Sequence, residues 1–309
     1  MDILILGAGA IGSLLGARLA GGSGSVFLYS TNRAHMEAVA GHGLAVEELD
    51  GTVKNFKLAA SSDLAAVPRN PGLVLVVVKT YATREAVESV LGLCSPSTVL
   101  LTLQNGIGNW ETVAEVAGKE AVLAGSTSQG ATFLGPGRVR HGGNGPTYIG
   151  EVSGQASERV GRVVELFRRA GLVCEPSDNV ERLIWDKLIV NVGINAITGL
   201  TGIRNGVVAG MLEAAELCEA AVEEAILVAG AKGFPMGPET VERVLGVARA
   251  TARNRSSMGQ DVDKKKRTEI DAINGAIVRF ARESGIPTPV NQTLTRLVKI
   301  LESNYGGRP

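Results

Sequence analysis

Lys187, Asn191 and Asn195 recur at four-residue spacing inside a stretch that is otherwise apolar, Trp185-Asp-Lys-Leu-Ile-Val-Asn-Val-Gly-Ile-Asn-Ala-Ile197. At about 100° per residue the three lie one above another on one stripe of a helix. Leu188, Ile189, Val190, Val192, Ile194 and Ile197 surround them, so the helix is expected to be buried nearly all round. A buried amide costs free energy unless it is paired, and a buried ammonium costs more. Two readings stand. In one, Lys187 is a structural cation whose charge reaches water, and the amides are satisfied by backbone. In the other, Lys187 donates a proton and the two asparagines orient a substrate.

A proton donor needs a partner reaction, and the amino terminus supplies a candidate. Residues 3–6 are a short apolar strand, followed by Gly7-Ala-Gly9-Ala-Ile-Gly12 and a helical run over 13–20. Strand, Gly-x-Gly-x-x-Gly, helix is the context in which this motif binds a dinucleotide. Gly7 permits the tight turn, Gly9 lets backbone approach a pyrophosphate, and Gly12 allows close strand–helix packing. Ala8, Ala10 and Ile11 complete the loop, whose free N–H groups face the anion. The second strand, residues 26–30, ends at Thr31, Asn32 and Arg33 where an acid would bind a ribose 2′-hydroxyl. Hydroxyl, amide and guanidinium suit a 2′-phosphate better, so NADPH is expected over NADH.

These groups need elements to hold them. Residues 73–78 are a continuous apolar run, as in a strand buried on both faces. Helix 84–91, strand 98–103, helix 110–117 and strand 121–125 continue a βαβ rhythm. The glycine-rich part 135–150 interrupts it, with 139–141 and 147–149 read as paired strands. Helix 156–170 and strand 173–175 follow, and Pro176-Ser-Asp178 marks a boundary. Beyond it the pattern is helical, over 181–197, 212–231, 238–253, 261–284 and 291–304. The expected fold is thus α/β: a Rossmann-type doubly wound sheet over residues 1–178, then an all-α substrate and catalytic domain over 179–309.

Composition narrows the partners. Thirty-one basic residues balance thirty-one acidic ones, which removes any electrostatic case for nucleic acid or a membrane surface. The one basic run, residues 264–267, reads as a solvated helix face. Cys94, Cys174 and Cys218 are scattered, which suits a reducing compartment and no metal site. Met1-Asp2 lacks the cationic start expected of a secretion signal, and no apolar stretch is expected to approach the ~20 residues of a membrane span. A cytoplasmic protein is expected. Its second-half helices can pack internally or form a homodimer.

Two more groups stand where such sheets bind ligands, beyond the carboxyl ends of strands. Lys79 follows the 73–78 strand and Gln104-Asn105-Gly106 follows the 98–103 strand. Each has a plain alternative, a surface cation and a turn. At this point the chain resembles the ketopantoate reductases of pantothenate biosynthesis along its whole length. The resemblance rests on Gly7-x-Gly9-x-x-Gly12, Val78-Lys79, Gln104-Asn105-Gly106-Ile-Gly108 and Trp185-Asp-Lys187-Leu-x-x-Asn191-x-x-x-Asn195. Ser256-Ser257-Met258-x-Gln260-Asp261 and Thr268-Glu269-Ile-Asp271-x-Ile-Asn274-Gly275 complete it. One departure is that Thr31-Asn32 stands where the family usually has a basic residue, with Arg33 slightly late.

The resemblance implies NADPH-dependent reduction of 2-dehydropantoate to (R)-pantoate. It implies Lys187 as general acid and Glu269 as the group that orients the reacting centre. Asn105, Asn191, Asn195, Asn205 and Ser257 contact substrate, and Lys79 and Asn105 lie near the nicotinamide end of the cofactor. On the residues alone, Glu269 is equally a solvated helix carboxylate, Ser257 a helix cap and Asn205 a turn residue before Gly206. Two rival functions stand beside this one: a related reductase for another 2-oxo or 3-hydroxy acid, and an NADPH sensor without turnover.

Overall fold

The computed structural model of the chain describes residues 1–22 and 25–305. Its strands are β1 (Ile3–Leu6), β2 (Val26–Tyr29), β3 (Leu44–Glu47), β4 (Val53–Phe56), β5 (Ala59–Ser61) and β6 (Leu73–Val76). They continue with β7 (Val99–Thr102), β8 (Val122–Thr127), β9 (Gly130–Gly135), β10 (Arg138–Gly143), β11 (Thr147–Gly150) and β12 (Cys174–Pro176). Among them lie α1 (Ala10–Gly21), α2 (Arg33–His42), α3 (Thr83–Leu91), α4 (Asn109–Ala117) and α5 (Glu158–Arg169), and after them α6 (Val180–Thr201). The remainder is α7 (Asn205–Gly210), α8 (Leu212–Ala231), α9 (Glu239–Ala250), α10 (Ser257–Asp263), α11 (Asn274–Ser284) and α12 (Pro289–Ser303).

By internal contacts the chain divides into two units. One comprises Met1–Gln104 and Gly108–Leu183, the other Asn105–Ile107 and the chain from Ile184 onward. The division falls inside α6 rather than at Pro176-Ser-Asp178. That helix starts in the first unit, where Asn179 Oδ1 accepts the Arg182 N–H at 3.1 Å, and continues in the second.

In the first unit the main sheet runs β12-β11-β8-β7-β6-β1-β2-β5. From β8 to β5 it is parallel, and β11 joins β8 antiparallel. The period of two is visible in the packing. Ile3, Ile5, Leu73 and Leu75 share a core with Leu14 and Leu15 of α1 and Phe167 of α5. Leu4, Leu6, Val74 and Val76 share another with Val87 and Val90 of α3 and Val113 of α4. Helices therefore cover both faces, which is why these strands read as unbroken apolar runs.

A second sheet, β4-β3-β10-β9, packs on α1. It corrects the expected pairing of 139–141 with 147–149. Val139 of β10 lies opposite Phe133 of β9, whereas Thr147 of β11 lies opposite Thr127 of β8, their hydroxyls 2.7 Å apart. The edge strand β4 is largely exposed, so its sequence carries no inside–outside alternation to read.

The second unit is helical around one apolar cluster, with α6 running through it. Gly193 marks where α6 meets α8 and α9. A Cβ there would lie 2.8 Å from Cys218 Sγ, Val222 Cγ2 and Val244 Cγ1. At 22 residues and mean hydropathy 1.3, α6 is long and apolar enough to cross a bilayer by length and composition, which corrects the expectation that no such stretch exists. Most of it is buried inside the protein, the same composition serving a core helix.

The helix expected over 261–284 is also broken. α10 ends at Asp263, Lys265 turns with φ 51°, and a 3-10 turn, Ile270–Ala272, precedes α11. Lys264, Lys265, Lys266 and Arg267 are exposed in that turn and not on a helix face. The break sends Thr268, Glu269 and Ile270 inward.

Candidate active site

The glycine loop of the first unit begins where β1 ends. Gly7 sits at φ 106°, and a Cβ on it would come within 2.6 Å of Val78 N. A Cβ on Gly12 would come within 2.4 Å of Gly7 O, so both positions exclude a side chain. Gly9 differs: it is exposed, and a Cβ there would meet nothing within 4 Å. It is also the N-cap of α1 and makes no side-chain cap bond. The first N–H groups of α1 therefore face open space, a cradle that fits a pyrophosphate.

Around the loop stand the other expected cofactor residues of this unit. Asn32 caps α2 through Oδ1, which accepts the His35 N–H at 3.2 Å. Arg33 is exposed and its Nε donates to Glu37 Oε1 at 2.7 Å; Thr31 is exposed beside them. Lys79 is partly buried at the start of a 3-10 turn, Thr80–Ala82. Gln104 pins that turn: its Nε2 donates to Val78 O and to Thr83 Oγ1, each at 2.8 Å.

The stripe of Lys187, Asn191 and Asn195 lies wholly in the second unit. Lys187 is partly buried on α6. Burial pushes its ammonium down from the usual 10.5 to about 8, while the nearby Glu269 charge works the other way. Glu269 is buried at 7% exposure, ahead of the 3-10 turn and not on a helix, so it is not a solvated carboxylate. Asn191 Nδ2 is buried and has no hydrogen-bond partner among the described residues. Asn195 is buried and its Nδ2 donates to Ser257 Oγ at 3.4 Å.

Ser257 is not the cap of α10. Ser256 is, its Oγ accepting the Gly259 N–H at 3.0 Å, and Thr198 Oγ1 of α6 donates to the same oxygen at 2.7 Å. Ser257 is the first helical residue, exposed, with its hydroxyl beside Asn195. Asn105 joins this unit because Ile107 N donates to Ala272 O at 3.2 Å, three residues beyond Glu269. Asn205 begins α7 and is not a turn residue. Its Nδ2 donates to Thr251 Oγ1 at 3.0 Å, its N–H donates to Asn254 O at 3.1 Å, and its Oδ1 has no partner among the described residues.

An ammonium with a lowered pKa, a buried carboxylate and two amides on the same stripe of α6 suit protonation of a carbonyl oxygen. Residues 3–154 match the family described as Ketopantoate reductase PanE/ApbA, and residues 179–302 match Ketopantoate reductase PanE/ApbA C terminal. The chain belongs to the ketopantoate reductase family. That family is one of oxidoreductases. The chain is 38% identical over 302 residues to 2-dehydropantoate 2-reductase of Halobacterium salinarum, covering 98% of this chain and 99% of that one. A PanE/ApbA family ketopantoate reductase from Ralstonia eutropha JMP134 matches with TM-score 0.90 and 32% identity over 99% and 100% of the two chains. D-mandelate dehydrogenase, in a ternary structure with NADH and anilino(oxo)acetate, matches with TM-score 0.92 and 26% identity over 99% and 100%.

Several supporting residues escaped the sequence. Asn274 is fully buried; its Nδ2 donates to Val192 O of α6 at 3.2 Å and to Asn291 Oδ1 at 3.0 Å. Asn291 Nδ2 in turn reaches Ala221 O at 2.9 Å and Glu224 Oε2 at 2.7 Å, tying α6 to α11, α12 and α8. Gln104 and Asn274 stand in the recognised motifs, but nothing local tells a polar residue that pins a helix from one that touches ligand. His35 carries no local signal at all.

Proposed function

We propose that this chain reduces 2-dehydropantoate to (R)-pantoate, using NADPH held at the glycine loop. The observation that carries the reading is Lys187: an ammonium in an apolar helix, its pKa lowered to about 8, under the influence of a buried Glu269. Bound at residues 7–12, a reduced nicotinamide dinucleotide supplies a hydride to a carbonyl carbon. Lys187 holds at Nζ the proton that the carbonyl oxygen takes up, an effect typically worth ~10²–10⁴-fold. Glu269 keeps that ammonium charged and oriented. Asn191 offers its unpartnered Nδ2 to a substrate oxygen, Asn195 and Asn105 grip hydroxyl and carbonyl groups, and the Ser257 hydroxyl takes the carboxylate. Asn205, anchored to Thr251, turns its remaining acceptor toward a substrate hydroxyl.

The test is consumption of NADPH by the purified chain with 2-dehydropantoate. Lys187→Ala is expected to lower turnover by about 10²–10⁴-fold and leave NADPH affinity within about twofold. Near-wild-type turnover in that variant rejects the assignment.

A second reading has its own support. The likeness to D-mandelate dehydrogenase with NADH, together with the engagement of Arg33 by Glu37, favours a reductase for another 2-oxo acid that accepts NADH. The comparison is kcat/KM for 2-dehydropantoate against aryl and simple 2-oxo acids, with each nicotinamide in turn. An NADPH sensor predicts tight binding and no consumption with any of them. The reading places the enzyme in the cytoplasm. Leu212, Leu217 and Leu227 are exposed on α8 and support pairing into a homodimer, which sedimentation of the purified chain tests.

A further inference from the structure

We propose that His35 and Ser13 are positioning residues for the dinucleotide loop, the inner links of a buried hydrogen-bond relay that starts at Gly137, in the turn joining β9 to β10 of the four-stranded sheet. The proposal rests on the reading that residues 7–12 hold the dinucleotide.

Each link has a fixed direction. The Gly137 N–H donates to His35 Nδ1 at 2.9 Å, so Nδ1 is an acceptor and carries no proton. The proton of the neutral ring is then on Nε2, which lies 2.8 Å from Ser13 Oγ and donates to it. Ser13 therefore keeps its own proton for Ala8 O, at 3.4 Å. His35 and Ser13 are both fully buried, and burial lowers the His35 pKa, in keeping with the neutral ring. The Phe133 ring of β9 meets the imidazole edge-on at 4.9 Å and closes the remaining side.

The end of the relay is what gives it a role. Ala8 lies between Gly7, which packs against Val78, and the exposed Gly9, and its carbonyl belongs to the peptide that leads into Gly9, the N-cap of α1. The other end of that peptide is held as well, because Gly9 N donates to Gly7 O at 2.7 Å. Pinning the plane at both ends aims the N–H groups of Ala10, Ile11 and Gly12 at one point. The same His35 also supplies the backbone N–H that Asn32 caps, next to Thr31 and Arg33. One residue thus ties the pyrophosphate cradle to the start of α2. At the far end, Gly137 is fixed by Ala45 N, which donates to Gly137 O at 2.9 Å, so the second sheet is the anchor.

Four variants test this by NADPH titration and steady-state kinetics. Ser13→Ala removes one oxygen and is expected to raise KM and Kd for NADPH about tenfold, with kcat at saturating NADPH and KM for the 2-oxo acid within about twofold. His35→Asn keeps an acceptor for Gly137 but does not reach Ser13, and is expected to show the same loss. His35→Gln reaches Ser13 with an amide N–H and is expected to recover most of it, which packing alone does not predict. Gly9→Asp checks the underlying reading, because a carboxylate in the cradle should abolish NADPH binding. If Gly9→Asp binds NADPH normally, the loop assignment fails. If Gly9→Asp abolishes binding while Ser13→Ala binds as wild type, the relay is overturned and the loop assignment stands. Should His35→Asn misfold, Ser13→Ala decides alone.

Discussion

At the scale of single residues, the proposed roles of Lys187 and Glu269 predict the pH response. Under the proposed function, reduction of a ketone consumes the Lys187 proton, so turnover requires the ammonium form. With the pKa lowered to about 8, the reductive rate is expected to fall as pH rises through that value. Burial lowers the pKa and the Glu269 charge raises it, so Glu269→Gln should move the falling limb to lower pH. A limb that stays in place or moves up would show that the two groups are not coupled. The stripe of Lys187, Asn191 and Asn195 was legible from four-residue spacing. The burial of Glu269 was not, since its neighbours in sequence, Arg267 and Asp271, are charged and partly or wholly solvated.

At the scale of elements, adjacent serines separate support from contact. Ser256 caps α10, and Ser256→Ala is expected to lower stability by about 1 kcal/mol. Ser257→Ala touches no cap and is expected to raise KM for the 2-oxo acid while leaving the melting temperature nearly unchanged. Thermal melts and initial rates of the two variants check the division; a reversed pattern would exchange their roles. Gly193 is the other test. Its Cβ would sit 2.8 Å from three side chains of α8 and α9, so Gly193→Ala should overpack the crossing and cost roughly 1–3 kcal/mol in denaturant titration. Strands with both faces buried and helices with caps were readable in the sequence. The exposed strand β4 and the break after Asp263 were not, because pairing partners distant in the chain decide both.

At the scale of the whole molecule, an α/β unit carries the glycine loop and a helical unit carries Lys187, the proposed proton donor. NADPH at about a hundred times its Kd is expected to stabilise the protein by ~2.7 kcal/mol, read as a rise in Tm. Gly9→Asp should abolish that rise. A rise that survives the substitution would move the dinucleotide away from residues 7–12. The second sheet belongs at this scale too, since it packs on α1 and is linked to His35 through the Gly137 N–H.

The sequence by itself determined what depends on near neighbours: the strand–glycine–helix turn, the unbroken apolar runs of β1 and β6, and the stripe on α6. These follow from sterics and helical geometry, which act over a few residues. Tertiary structure alone decided which polar groups lost water and what they met instead. It set the Glu269 carboxylate near the Lys187 ammonium, chose Ser256 over Ser257 as the cap, and brought the Gly137 N–H to His35 Nδ1. Desolvation and Coulomb energy depend on everything packed around a group, and those surroundings are assembled from segments far apart in the chain.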